Sequence, residues 1–168
     1  RKSKPGLFSC FYDSLQNCSS LTSLVFSDSL INMSARLLGI KKNQLIAVAQ
    51  QTRADVPNDK RNVLNWHQDW SFYPHTNDDL LAVGIYLEDC FEENGPLKVI
   101  PTSHKKNLYN HHYKGDFVGK ITDKLNTNKA VSLIGSAGTV TFHHVRTVHG
   151  SGLNLTNNSR PLLLFGYS

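Results

Sequence analysis

The sequence predicts a mainly β fold, an antiparallel sandwich or barrel, with helices at the N-terminal end packed outside the sheets. Three observations carry this expectation. Short runs of β-branched and aromatic residues alternate with polar turns from Gln44 onward, no helical pattern separates those runs, and the first forty residues repeat their apolar positions at helical spacing.

In chain order, Leu7, Phe8, Phe11, Tyr12 and Leu15 recur as one face of a helix would. Leu30, Ile31, Leu37 and Leu38 do so again behind a Ser27-Asp28 cap signal, with Gly39 as a stop. Strands are expected over residues 45–52, 80–87, 97–100, 130–134, 139–143 and 161–167. Residues 104–129 are polar, aromatic-rich and weakly periodic, so they form either a surface loop or a lid over a site. There is no internal repeat and no low-complexity linker. The expected organisation is one domain over residues 1–168, helical over 1–40 and sheet-forming over 44–168. The chain opens on Arg1 rather than Met, and its last strand runs to Ser168 without a tail, so sequence is expected beyond both ends.

Composition narrows the function classes. A chain of 168 residues can bury a substantial core, and no apolar run is long enough to span a bilayer. The net charge of +5 comes from Lys and Arg scattered along the chain, with only short groups at residues 1–4 and at Lys105-Lys106. That spread describes a solvated surface rather than a nucleic-acid face, and it leaves room for a mildly basic funnel toward an anionic substrate, met by Arg53, Lys105 or Lys106. Neither a nucleic-acid nor a membrane partner is expected, and the oligomeric state is left open. Cys10, Cys18 and Cys90 are odd in number and lack C-x-x-C spacing, which argues against a disulfide framework or a zinc ribbon and favours a reducing cytoplasm.

The chemistry concentrates in His67-Gln68-Asp69. In an extended backbone, residues i and i+2 project to the same side, so the imidazole and the carboxylate can converge on one cation. His149 lies in Thr147-Val148-His149-Gly150-Ser151-Gly152, at a strand end where small residues permit close approach by a ligand. Two imidazoles and one carboxylate can hold a ferrous ion on one face and leave the opposite positions open. Other histidines compete for the role. His143 and His144 must point to opposite faces of a strand; His144 is read as a satisfied structural or supporting histidine and His143 is undetermined. Arg160 follows His149 after a turn through residues 154–159 that would return the chain beside itself. Its planar fork of donors matches the far carboxylate of a dicarboxylic keto acid, and Ser151, on the face of His149, can donate to the same group. Trp66, Trp70, Phe72 and Tyr73 are available as an apolar wall, although core packing is their default role.

Together, His67-Gln68-Asp69, the run Glu93-Asn94-Gly95-Pro96-Leu97-Lys98-Val99-Ile100-Pro101-Thr102-Ser103-His104-Lys105, and His149-Gly150-Ser151-Gly152 with Arg160 resemble the phytanoyl-CoA dioxygenase family from about Asn65 to Ser168. The resemblance implies a double-stranded β-helix, a jelly roll of the cupin type, using Fe(II), 2-oxoglutarate and O2. It implies His67, Asp69 and His149 as iron ligands, Arg160 and Ser151 on the distal carboxylate of 2-oxoglutarate, and a further cofactor contact near Gln51. The implied reaction hydroxylates a small molecule and releases succinate and CO2. Halogenation is disfavoured, because related halogenases replace the carboxylate ligand with a small residue.

Where relatives commonly carry Pro-Gly-Ser-His this chain has Pro101-Thr102-Ser103-His104, so its turn is expected not to need a glycine-only conformation at residue 102. Asn94-Gly95 reads as a tight hairpin turn. Two alternatives share the fold: a cupin-like enzyme using another metal without oxygenase chemistry, and a catalytically silent binding module. Fold alone does not identify the substrate.

Overall fold

The computed structural model describes residues 10–12, 18–60, 63–74 and 76–168; the side chains of residues 10–12 and 49–51 lie outside that description. Two helices lie in the N-terminal part of the chain, α1 (Ser19–Val25) and α2 (Asp28–Leu38). The second follows its sequence signals. Ser27 enters with an extended backbone, and Gly39 leaves in the left-handed region at φ 72°, its N–H reaching the carbonyls of Ala35 and Arg36. The helix expected at Leu7–Leu15 is contradicted where it is described: Cys10–Tyr12 is a strand, β1, paired antiparallel with β2 so that Phe11 faces Thr52. Aromatic residues satisfy a sheet edge as readily as a helix face, and a run this short cannot distinguish the two.

Strands β1, β2 (Ala47–Asp55), β3 (Leu81–Tyr86), β8 (Val140–His144) and β10 (Arg160–Tyr167) form one sheet in the order β1-β2-β10-β3-β8. A smaller sheet is ordered β7-β4-β9, from Val131–Ser132, Leu97–Val99 and His149–Ser151, and β5 (His112–Tyr113) pairs with β6 (Asp116–Phe117) as a hairpin. All pairings are antiparallel. Each of the six expected strands is present, with its ends moved by a few residues.

The larger sheet separates two environments by strand alternation. Val83, Ile85, Leu163, Phe165 and Tyr167 pack against Val25 and Leu30 of the helices, and the Tyr167 hydroxyl donates to the Val25 carbonyl. The alternate positions Ala82, Tyr86, Thr141, His143, Arg160, Leu162 and Leu164 line an interior cavity. A strand that reads as continuously apolar is therefore divided, one face for the core and one for the site.

Three expectations need correction. The turn after β9 does not bring the chain back beside itself. It crosses to the larger sheet, where Arg160 pairs with Asp55 of β2 while β9 stays paired with β4. Asn94-Gly95 is not a hairpin turn either, because it joins strands of different sheets; Gly95 closes a 3-10 turn, Glu92–Asn94, at φ 73°. A side chain there would meet the Gly152 carbonyl at 2.8 Å. Thr102 adopts the glycine-favoured region after all, at φ 64°. No helix among the described residues is long and apolar enough to cross a membrane.

Candidate metal centre

The site forms where the segment through His67 crosses the end of β9. The amide of His67 donates to the His149 carbonyl at 2.9 Å, and that of His149 returns to His67 at 3.0 Å, so the two metal-binding segments are clamped by their own backbones. Gly150 makes this crossing possible: a Cβ there would lie 2.8 Å from the Leu64 carbonyl oxygen and 3.3 Å from the Trp66 nitrogen. The small residue accommodates the neighbouring segment at Leu64 and Trp66, rather than the ligand that its sequence context suggests. Gln68 is extended, at φ −123° and ψ 129°, which puts His67 and Asp69 on one side as expected.

Each imidazole is fixed in tautomer by a local carbonyl. His67 Nδ1 lies 2.7 Å from the Asn65 oxygen and His149 Nδ1 lies 2.9 Å from the Thr147 oxygen, so each Nδ1–H donates and each Nε2 presents a lone pair. Those Nε2 atoms stand 3.2 Å and 3.4 Å from Asp69 Oδ1. One ligand atom from each of His67, Asp69 and His149 falls within 4.8 Å of the others. Burial works to raise the Asp69 pKa, but the surrounding His149, His143 and His67 outweigh it and hold the carboxyl well below its usual range. Burial, together with the neighbouring His149, lowers the His67 pKa. One carboxylate and two imidazoles, each with Nδ1 tied to a backbone carbonyl, make a donor set suited to a divalent transition ion.

A cavity of about 680 Å³ opens beside this triad. Its walls are largely apolar, with Leu64, Phe72, Leu80, Leu97 and Leu162 among them. Trp66 and Trp70, expected as further wall, do not line it; Phe72 and Tyr73 do. Phe72 meets His67 edge-on at 5.3 Å and is covered in turn by Phe117 of the β5–β6 hairpin at 5.1 Å.

Arg160 and Ser151 both line the cavity. Arg160 is 3% exposed, and its Nη2 donates to the Asp55 carboxylate and, at 3.0 Å, to the Gly95 carbonyl, while Nε donates to Asn94 at 3.1 Å. Nη1 takes part in none of these bonds. Asp55 is shared, since Arg53 Nε also reaches it at 2.6 Å, so two guanidinium groups flank one carboxylate. Ser151 Oγ accepts the Leu64 amide at 3.2 Å. Gln51 stands opposite Leu164 in the sheet, and its side chain lies outside the described residues.

Asp55 and His111 carry no local signal in the sequence that singles them out. Gln68 is fully buried, its amide nitrogen donating to the Arg146 carbonyl and its oxygen accepting the Tyr109 amide. His111 Nε2 accepts the Gln68 amide at 3.0 Å. These contacts join residues far apart in the chain, and only Gln68, inside the H-x-D motif, carried any local signal. His144 accepts the Arg146 amide on the opposite side of β8 from the cavity-lining His143, in keeping with its structural assignment.

A jelly-roll scaffold with two histidines and one carboxylate lining its cavity belongs to the cupin-like architecture of the non-haem oxygenases. Residues 31–162 match the family described as Phytanoyl-CoA dioxygenase (PhyH), and the chain belongs to that family. A relative described as a probable alpha-ketoglutarate-dependent hypophosphite dioxygenase of Stutzerimonas stutzeri is 38% identical over 159 residues, covering 89% of this chain and 53% of the relative. The L-proline trans-4-hydroxylase of Streptomyces griseoviridis is 29% identical over 126 residues, covering 61% of this chain and 47% of that protein. The chain thus spans about half the length of these relatives. The solved structure of EvdO2 from Micromonospora carbonacea var. aurantiaca in complex with 2-oxoglutarate superposes with a TM-score of 0.77 at 20% identity, over 97% of this chain and 67% of that one. At that identity the likeness is one of fold.

Proposed function

We propose that this protein is an Fe(II)- and 2-oxoglutarate-dependent dioxygenase that hydroxylates a small, anionic molecule. The convergence of His67 Nε2, His149 Nε2 and Asp69 Oδ1 carries the proposal, because this donor set fits the group: both rings have Nδ1 tied to backbone and Nε2 directed to the carboxylate. When bound, iron with 2-oxoglutarate and dioxygen supplies an oxidative decarboxylation that yields succinate and CO2 and places the second oxygen atom on the substrate.

The chain's residues set the conditions for that chemistry. His67, Asp69 and His149 would hold iron from one side. Arg160 would bind the distal carboxylate of 2-oxoglutarate through Nη1, supported by the Ser151 hydroxyl. Gln51, on the neighbouring strand β2, would add a contact to the same co-substrate. Phe72, Leu80 and Leu97 exclude water from the cavity. Hypophosphite is the first substrate to test, because a relative at 38% identity is described by it and the net charge of +5 favours an anion. The free thiols of Cys18 and Cys90 suit a reducing, cytoplasmic setting.

The test is succinate release by the iron-loaded protein given hypophosphite or L-proline in turn. Release should require 2-oxoglutarate and disappear in His67→Ala and His149→Ala. Arg160→Ala should keep its iron while needing about tenfold or more 2-oxoglutarate, a loss expected for a charge-assisted contact. Turnover that persists without 2-oxoglutarate would assign the site instead to a cupin-like enzyme of another class.

A further inference from the structure

One imidazole beside the triad is not among its three converging donors. His143 lies on the cavity face of β8, is 8% exposed, and makes no hydrogen bond through either ring nitrogen. A buried polar group left without a partner is costly, so such a ring in a site calls for one. Its surroundings indicate which. His143 Nε2 stands 3.5 Å from Asp69 Oδ2, whereas the Nε2 atoms of His67 and His149 stand against Oδ1. The two carboxylate oxygens therefore have different neighbours. His143 is also outside the group whose ligand atoms lie within 4.8 Å of one another, so its ring nitrogens approach the carboxylate apart from the three converging donors. Pairing opposite Ala82 and a ring contact with His149 at 4.6 Å hold it there.

We propose that His143 is a positioning residue for Asp69: its Nε2–H donates to Oδ2 once a cation engages Oδ1, and this holds the carboxylate to coordination through a single oxygen. The inference rests on the iron and 2-oxoglutarate assignment above. Its consequence is the number of open positions. With Asp69 held to one oxygen, the three residues would leave open positions enough for a chelating keto acid and dioxygen together. A carboxylate bound through both oxygens removes one of them.

His143→Asn and His143→Gln distinguish the role, since both side chains are polar and only the glutamine amide reaches the Nε2 position. Anaerobic iron-loaded protein is titrated with 2-oxoglutarate while the visible charge-transfer band of the chelate is followed, and Mn2+ affinity is measured in parallel by electron paramagnetic resonance. The Asn variant should bind Mn2+ much as the wild type does but need about tenfold more 2-oxoglutarate for half the band, whereas the Gln variant titrates near wild type. Equal titrations of the two variants, whether both shifted or both unshifted, overturn the proposal. If either variant fails to fold, the infrared difference spectrum of wild-type protein on adding Mn2+ decides: single-oxygen carboxylate stretches support it and chelating ones overturn it. Wild-type protein that binds neither Mn2+ nor 2-oxoglutarate removes the metal assignment itself, an outcome separate from any difference between variants.

Discussion

Thr102, in the turn that carries Ser103, holds its backbone in the left-handed region. Its β-branched side chain sits at φ 64°, in the region that costs a non-glycine residue roughly 1–2 kcal/mol. The side chain is exposed, and residue 102 contributes a carbonyl to the turn that carries Ser103, whose hydroxyl accepts the Val148 amide next to His149. Thr102→Gly should therefore stabilise the protein by about 1 kcal/mol after the greater chain entropy of glycine is offset, raising the melting temperature by about 2–4 °C. An unchanged or lower melting temperature would show that no strain is relieved. At this scale the site was legible in part. His67 and Asp69 could be found because i and i+2 share a side in extended backbone, a relation carried by two letters of sequence. Asp55 could not, because its partner Arg160 comes from a different strand and nothing near Asp55 marks the pairing. His143 was ambiguous for the same reason: alternation says that it opposes His144, but not which of the two faces is interior.

The strands were the most legible elements, since β-branched runs between polar turns mark them directly. The stretch left open as loop or lid is more fastened than its composition suggests. The hairpin packs Phe117 on Phe72, the Ile121 amide donates to Trp66 at 2.8 Å, and His111 joins the segment to Gln68. That last contact makes the segment's attachment depend on pH. His111 Nε2 must stay unprotonated to accept the Gln68 amide; burial lowers its pKa below 6.5, with His67 and His112 acting in the same direction against the Tyr109 carbonyl and Asp123. The sign follows from the proton balance: as pH falls through 6.5 the unfolded chain takes up the proton first, so stability present above that pH is lost below it. Thermal melts of the metal-free protein should show a falling melting temperature below about pH 6.5. His111→Gln, which cannot titrate, should flatten the slope, leaving the shares of His67 and His144, whose pKa values are also lowered, chiefly by burial. A slope identical in the variant would assign the pH dependence elsewhere.

At the scale of the molecule, two sheets divide the work. The larger sheet turns Val83, Ile85, Leu163 and Phe165 outward onto the helices and gives its inner face to the cavity, while β9 of the smaller sheet supplies His149 and Ser151 at the rim. Sequence patterning indicated the mainly β class, but pairing order was hidden, because period-two alternation fixes faces and not neighbours. The same limit turned the crossing from β9 to β10 into an expected hairpin. The whole arrangement serves one convergence of donors, and that convergence is open to direct measurement. Anaerobic equilibrium dialysis of wild-type protein, Asp69→Ala and His149→Ala against Fe(II) should find about one ion per wild-type chain and a loss of binding by at least about a hundredfold in each variant, all three retaining their circular dichroism. Wild-type protein that retains no iron, or variants that bind it equally well, would contradict the account.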